Sequence, residues 1–205
     1  MKKKIIITGG LGYIGTELCK LYSGVSWHHK IIVIDNRFIS ERVAQIRNWN
    51  MDFIQGDILD KTLIEKHCAD ADVVHHLAGV TNVPRTKSES SIAHNEKIKE
   101  VGEKGTQNIL DVISNKCKII FPSTHVVYEG INEIKTNIKE DETTRPVLSY
   151  SSSKAVNEDQ LKKSGKNYII LRLGSVYGYS TDSMRVDIMP NLFSKIASQN
   201  GTLKL

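Results

Sequence analysis

A doubly wound, parallel α/β sheet is the fold class this sequence predicts, and three observations predict it. Apolar strand-like runs alternate with helical stretches along the chain, the first run ends in a glycine-rich turn that opens a helix, and the second run ends in an acidic residue. Strands that follow one another through helices come out parallel, and their ligands collect outside the strands' carboxyl ends.

The first run, Lys4-Ile5-Ile6-Ile7-Thr8, leads directly into Gly9-Gly10-Leu11-Gly12-Tyr13-Ile14-Gly15. Gly10, Gly12 and Gly15 satisfy G-x-G-x-x-G, and Gly9, Gly12 and Gly15 satisfy the looser G-x-x-G-x-x-G. A nucleotide cradle needs a tight turn, no Cβ in the way of a pyrophosphate, and helix N-terminal amides aimed at its charge. Gly9, Gly12, Tyr13 and Ile14 are the candidates for that contact. A tight strand-to-helix turn that binds nothing would show the same glycines. The second run, residues 30–34, ends in Asp35-Asn36, and Asp35 stands 20 positions beyond Gly15. A carboxylate there accepts hydrogen bonds from adenosine ribose hydroxyls and repels a 2'-phosphate, so NAD is expected over NADP. Arg37 follows and can meet a phosphate, and a plain helix N-cap is the other reading of Asp35.

Further along, residues 51–55 predict a third strand, followed by Gly56-Asp57-Ile58 and a helix from about Asp60. Residues 72–77 predict a fourth, ending at Ala78-Gly79, small residues against which a cofactor can lie. A long polar helical pattern over 86–114 is expected to be interrupted at Gly102 and Gly105. Residues 118–121 and 167–172 predict strands five and six, separated by a polar loop over 129–146 and a helix from about Ser149. Residues 188–198 predict a last helix, and 201–205 a turn entering a strand. That ending suggests a truncated chain: residues 1–178 as the cofactor-binding domain, 179–205 as the start of an incomplete substrate-binding lobe.

With 205 residues, 40% hydrophobic and 25% charged, the chain has material for one substantial core. Lys2, Lys3 and Lys4 supply much of the formal charge of +5, and no basic stripe interleaved with aromatics follows, so a nucleic-acid partner is not expected. No apolar run approaches a membrane span and no signal-like segment opens the chain, so a cytoplasmic protein is expected. Cys19, Cys68 and Cys117 lack C-x-x-C spacing and fit reduced structural thiols. His28-His29 and His75-His76 are adjacent pairs, and neighbours on a strand point to opposite faces, so no metal is expected.

The chemistry is carried by Tyr150-Ser151-Ser152-Ser153-Lys154, a Y-x-x-x-K, with Ser123-Thr124 lying at the end of strand five. Positions i and i+4 share a helix face, so Tyr150 and Lys154 reach one ligand. A phenol with an ordinary pKa of about 10 is a poor base, and a nearby ammonium together with a positively charged nicotinamide is expected to lower it. Lys154 then serves twice, holding nicotinamide ribose hydroxyls and stabilising the phenolate, while the Thr124 hydroxyl donates to the substrate oxygen that Tyr150 addresses.

Taken together these motifs resemble the extended short-chain dehydrogenase/reductases, and specifically the NAD-dependent epimerase/dehydratase group that acts on nucleotide sugars. The resemblance runs through the glycine turn, Ile34-Asp35-Asn36, Gly56-Asp57-Ile58, His76-Leu77-Ala78-Gly79, Gly105-Thr106-Gln107-Asn108, Ser123-Thr124-His125-Val126-Val127-Tyr128, Tyr150 to Lys154, and Arg172-Leu173-Gly174-Ser175-Val176-Tyr177-Gly178. It implies a Rossmann fold and a catalytic set of Thr124, Tyr150 and Lys154. It implies that Asp57 and Ile58 border the adenine, that Leu77, Ala78 and Gly79 line the cofactor, and that Thr81, Thr124, Ser175 and Asn191 face a sugar nucleotide. It also suggests a homodimer through the helix carrying Lys97, Ile98 and Val101 and the helix after Ser149.

The sugar 4,6-dehydratases of this group carry Asp-Glu directly after the threonine, where His125 and Val126 stand here. The resemblance therefore favours an epimerase that passes hydride transiently from a sugar carbon to NAD, of the UDP-glucose 4-epimerase kind. The alternatives are a nucleotide-sugar dehydratase or other NAD-dependent oxidoreductase, and a non-catalytic NAD-binding module. Gly102 stands where many relatives carry asparagine, and Ser175 where many epimerases do. Arg185 reads equally as a contact near a substrate phosphate and as a solvated charge.

Overall fold

A computed structural model describes residues 2–80, 91–180 and 183–203. Its centre is a six-stranded sheet in the order β3-β2-β1-β4-β5-β6, with every adjacent pair parallel. The strands are β1 Lys4–Thr8, β2 Lys30–Asp35, β3 Asp52–Gln55, β4 Val73–His76, β5 Lys118–Thr124 and β6 Asn167–Leu173. Strand order reverses between β1 and β4, which opens a crevice at their carboxyl ends, the place where such sheets hold ligands.

The apolar runs are continuous because both faces of the central strands are covered. On one face Ile6, Ile32, Ile34, Val74, Ile119 and Phe121 form a core with helices α3 (Lys61–Cys68), α5 (Gly105–Val112) and α6 (Ser149–Lys163). On the other, Ile5, Ile7, Ile31 and Val33 pack with α1 (Tyr13–Ser23) and α2 (Ser40–Asn48). That second cover stops short of β6, whose Ile169 and Leu171 stay 39% and 44% exposed. Asp60 caps α3, accepting from the Leu63 amide at 3.0 Å. Cys19, Cys68 and Cys117 are buried free thiols, pushed up by burial to about 12, 12 and 11, and so chemically inert.

One expectation is corrected. The helical stretch from α4 (Ile92–Lys99) to α5 is not interrupted at its glycines: Glu100–Lys104 is a π-helical turn that keeps it continuous. Strand β5 runs through Pro122 and ends at Thr124, as the placing of Ser123-Thr124 at its end requires, with Pro122 opposite Leu171. Residues 201–203 carry no strand, and the final two lie outside the described residues. The last helix, α7, spans Met189–Ser198. Among the described residues no helix is long and apolar enough to cross a membrane.

Candidate active site

The turn after β1 is shaped by what passes beneath it. Gly9 adopts φ +71°, and a Cβ there would lie 2.7 Å from the Ala78 amide nitrogen, because the chain leaving β4 crosses directly under the turn. Leu77 N–H donates to the Thr8 carbonyl at 3.1 Å, and Ala78 N–H to Thr8 Oγ1 at 3.2 Å. Above Gly12 there is room: beyond the Gly9 carbonyl at 3.1 Å, only Arg37 Nη2 comes within 4.0 Å of a Cβ built there. No side chain caps α1, so its first amides face this space. An open glycine turn under an uncapped helix start fits a dinucleotide's phosphates.

Asp35 ends β2 with 5% exposure, and its Oδ2 accepts the Leu11 amide at 3.0 Å, which ties it to the turn. Asn36 donates to Asp57 Oδ2 at 3.2 Å, pairing the ends of β2 and β3. On β4, His75 and His76 do point apart. His75 Nε2 meets the Tyr22 hydroxyl at 2.7 Å, whereas His76 lies between Thr8 Oγ1 at 2.9 Å and Thr106 Oγ1 at 3.0 Å. Thr8 Oγ1 also accepts the Ala78 amide, so one imidazole held between two hydroxyls ties β1, β4 and α5 together. Burial, helped by the Lys154 charge, holds His76 down to about 3, so it is neutral.

The other wall belongs to α6. Glu129 Oε1 accepts the amides of Val147 and Leu148, both at 2.7 Å, and the Ser151 hydroxyl, so a carboxylate sits at the positive end of α6 just where Tyr150 begins its first turn. Tyr150 and Lys154 line one pocket with Leu77, Ala78 and Gly79, the exit of β4. Lys154 Nζ donates to the Pro122 carbonyl at 2.9 Å and stands 4.3 Å from the Phe121 ring centroid. Thr124 ends β5 two residues beyond Pro122, 8% exposed, with Oγ1 accepting the Val126 amide at 3.3 Å.

One further turn along α6, Glu158 is a buried hub that the sequence reading missed. It accepts from Ser123 Oγ at 2.6 Å, from Arg172 Nη2 at 2.6 Å and from Arg172 Nε at 3.0 Å. This joins α6 to β5 and β6 immediately behind Thr124. Burial works to raise its carboxyl, but the Arg172 and Ser123 hydrogen bonds and the Arg172 charge outweigh burial and hold it low. The i+4 spacing of Tyr150, Lys154 and Glu158 was a signal that could have found it.

Burial dominates the electrostatics of the pair. Burial raises the Tyr150 phenol, and the opposing positive charge is Arg185 rather than Lys154, whose Nζ is 5.9 Å from the Tyr150 ring centroid. Lys154 is itself brought down to about 8 by burial, with Glu158 pulling it back up. At about 8 Lys154 keeps its proton at neutral pH, and with one N–H bonded to Pro122 it has two more donors for a ligand.

The substrate-side expectations are met unevenly. Asn191, on α7, is buried, and its amide is fully engaged: Oδ1 accepts Gly178 N–H at 3.0 Å, and Nδ2 donates to the Arg185 carbonyl at 2.8 Å and the Tyr13 hydroxyl at 3.3 Å. Tyr13 in turn donates to the Gly178 carbonyl, so it anchors the 174–180 loop, while Ile14 is 37% exposed on the first turn of α1. Ile58 sends its side chain into the core against Gly105 instead of out over the crevice, leaving Asp57 at the rim. Ser175 is exposed on the loop after β6. Thr81 lies outside the described residues. Ile98 is buried at 3% and lines the Tyr150 pocket. Where asparagine was expected, Gly102 lets α6 approach: its carbonyl accepts Asn157 Nδ2 at 3.1 Å, and a Cβ would meet Ser153 Oγ at 2.4 Å. Arg185 is ion-paired with Asp187 at 2.5 Å. No cluster of metal-ligating side chains exists among the described residues.

Fold and site together define a dinucleotide-binding α/β protein with a Tyr-Lys pair at the crevice. More narrowly, the chain belongs to the NAD dependent epimerase/dehydratase family, whose family model matches residues 5–205. It is 30% identical over 197 residues to dTDP-D-glucose 4,6-dehydratase of Dictyostelium discoideum, covering 86% of this chain and 44% of that one. It is 32% identical over 174 residues to UDP-glucose 4-epimerase 3 of Oryza sativa subsp. japonica, covering 78% and 44%. The crystal structure of UDP-glucuronic acid 4-epimerase from Bacillus cereus in complex with UDP-glucuronic acid and NAD matches with a TM-score of 0.77 at 26% identity, over 98% of this chain and 64% of that one. The chain thus spans about half the length of the curated relatives it matches.

Proposed function

We propose that this chain carries the cofactor-binding and catalytic part of an NAD-dependent nucleotide-sugar epimerase. The observation that carries the reading is the shared pocket of Tyr150, Lys154 and the exit of β4, beside a glycine turn open to phosphate. NAD, when bound, supplies the hydride acceptor. Tyr150 takes the proton from the sugar hydroxyl as its carbon is oxidised, and returns it when the carbonyl is reduced from the opposite face. Lys154, anchored between Pro122 and the Phe121 ring, holds ribose hydroxyls and stabilises the phenolate. Thr124 steadies charge on the substrate oxygen.

Epimerisation is favoured over dehydration by the two residues after Thr124. His125 is exposed and its Nδ1 meets the Leu173 carbonyl at 3.2 Å, and Val126 has no proton to give, so neither replaces the carboxyl pair that drives water elimination. Support for a sugar nucleotide comes from the relatives, whose names include dTDP- and UDP-sugar enzymes. A homodimer and a cytoplasmic location belong to the same reading. Incubating the protein with NAD and UDP-, GDP- or dTDP-hexoses tests it: a product differing at one stereocentre is expected, whereas a dehydrated keto sugar, or no turnover with any of them, would reject it.

A further inference from the structure

The acidic residue expected to select NAD is not free to do so alone. Asp35 Oδ1 accepts from Arg37 N at 3.0 Å and Arg37 Nε at 3.1 Å, and Oδ2 from Leu11 N at 3.0 Å and Arg37 Nη2 at 3.3 Å. A carboxylate offers about four acceptor sites, so all of them are filled. Two of the donors are backbone amides fixed by the turn. The other two belong to a side chain that is 53% exposed and therefore able to swing away. Ribose hydroxyls that bond to Asp35 must take the places of Nε and Nη2.

The guanidinium lies at the glycine turn as well as at the acid. Its Nη2 already overhangs Gly12, within 4.0 Å of a Cβ built there, so it borders the phosphate turn and the ribose acid together. Arg42 Nη1 donates to the Leu11 carbonyl, setting a second guanidinium on the same turn. A bare Asp35 would repel a phosphate on the ribose 2'-oxygen. Paired with Arg37 the acid is neutralised, and a guanidinium fork matches phosphate oxygens in shape and charge. We infer that Arg37 sets cofactor choice in this chain, letting it take the 2'-phosphorylated dinucleotide, NADP, as well as NAD.

This rests on the cofactor half of the reading above, and the test reads binding rather than turnover. Protein freed of bound nucleotide is titrated calorimetrically with NAD and with NADP, as wild type, Arg37→Ala and Arg37→Gln. Wild type is expected to bind both. Each substitution is expected to raise the ratio of NADP to NAD dissociation constants by at least about tenfold, because a charge-assisted phosphate contact is lost and Asp35 is exposed. NAD affinity should hold or improve as its competitor leaves. No measurable NADP binding by wild type, or a smaller rise in the ratio, overturns the inference while leaving NAD binding intact. Failure of both dinucleotides to bind overturns it together with the cofactor reading.

Discussion

The two ends of the crevice are built from different material. At the β1–β2 end, recognition is a matter of backbone: Gly9 at φ +71° over the Ala78 amide, an uncapped helix start, and amides of Leu11 and Arg37 fixing Asp35. At the β5–α6 end it is a matter of side chains: Tyr150, Lys154, Thr124 and, behind them, Glu158 holding Ser123 and Arg172. Substitution at the first end should disturb binding and fold together. At the second, binding and chemistry should come apart.

The largest effect tests that separation directly. Tyr150→Phe should lower turnover by about 10³-fold, the scale of a lost proton-transfer group, while leaving the NAD dissociation constant within about twofold. Unchanged turnover would end the assignment of Tyr150 as the base. Next, Glu158→Gln removes the charge facing Arg172 in a site where Glu158 is 2% exposed, and should cost about 3 kcal/mol in urea denaturation. At the backbone end, Gly9→Ala forces a Cβ into the Ala78 main chain from a left-handed conformation, and should cost about 2 kcal/mol along with most of the NAD affinity. If NAD binding survived Gly9→Ala and failed in Tyr150→Phe, the contrast between the two ends would be reversed.

A smaller effect is read through pH. His76, neutral in the fold and held to about 3 by burial, takes up a proton more readily when unfolded, where it titrates near 6.5. Between those values the unfolded chain binds more protons, so this contribution is present above about pH 6.5 and lost as pH falls toward 3, at most about 5 kcal/mol. Denaturation midpoints measured from pH 7 down to 4 should fall less steeply in His76→Gln than in wild type. Turnover should likewise decline above about pH 8 as Lys154 loses its proton, and parallel profiles for wild type and Lys154→Arg would contradict that.

How far the sequence could be read follows the same division. Strands β1, β2 and β4 were legible because buried parallel strands are continuous apolar runs, and the glycine turn because few backbones can make it. Tyr150 and Lys154 were legible because four residues on a helix is a local relation. Glu158 was not, since its partners Ser123 and Arg172 lie on two other strands, and only the register of Ser123 opposite Arg172 brings them to it. The part played by Pro122 was hidden too: proline is a poor strand residue, yet here its carbonyl is what anchors Lys154. Gly102 and Gly105 looked like breaks because glycine weakens helices, but a wider i→i+5 turn absorbs them and brings α6 close. The contacts of Asn191 with Tyr13, Gly178 and Arg185 were equally out of reach, because they join α7 to α1 and to the loop after β6.

Strand β6 carries a different kind of consequence. It is the last strand in the sheet order among the described residues, and Tyr168, Ile169 and Leu171 along it are each more than a third exposed. An edge rich in β-branched and aromatic residues offers unpaired amides and carbonyls to any strand of like character, including that of another molecule. An Ile169→Lys substitution there is expected to lower self-association of the chain at high concentration, read by light scattering.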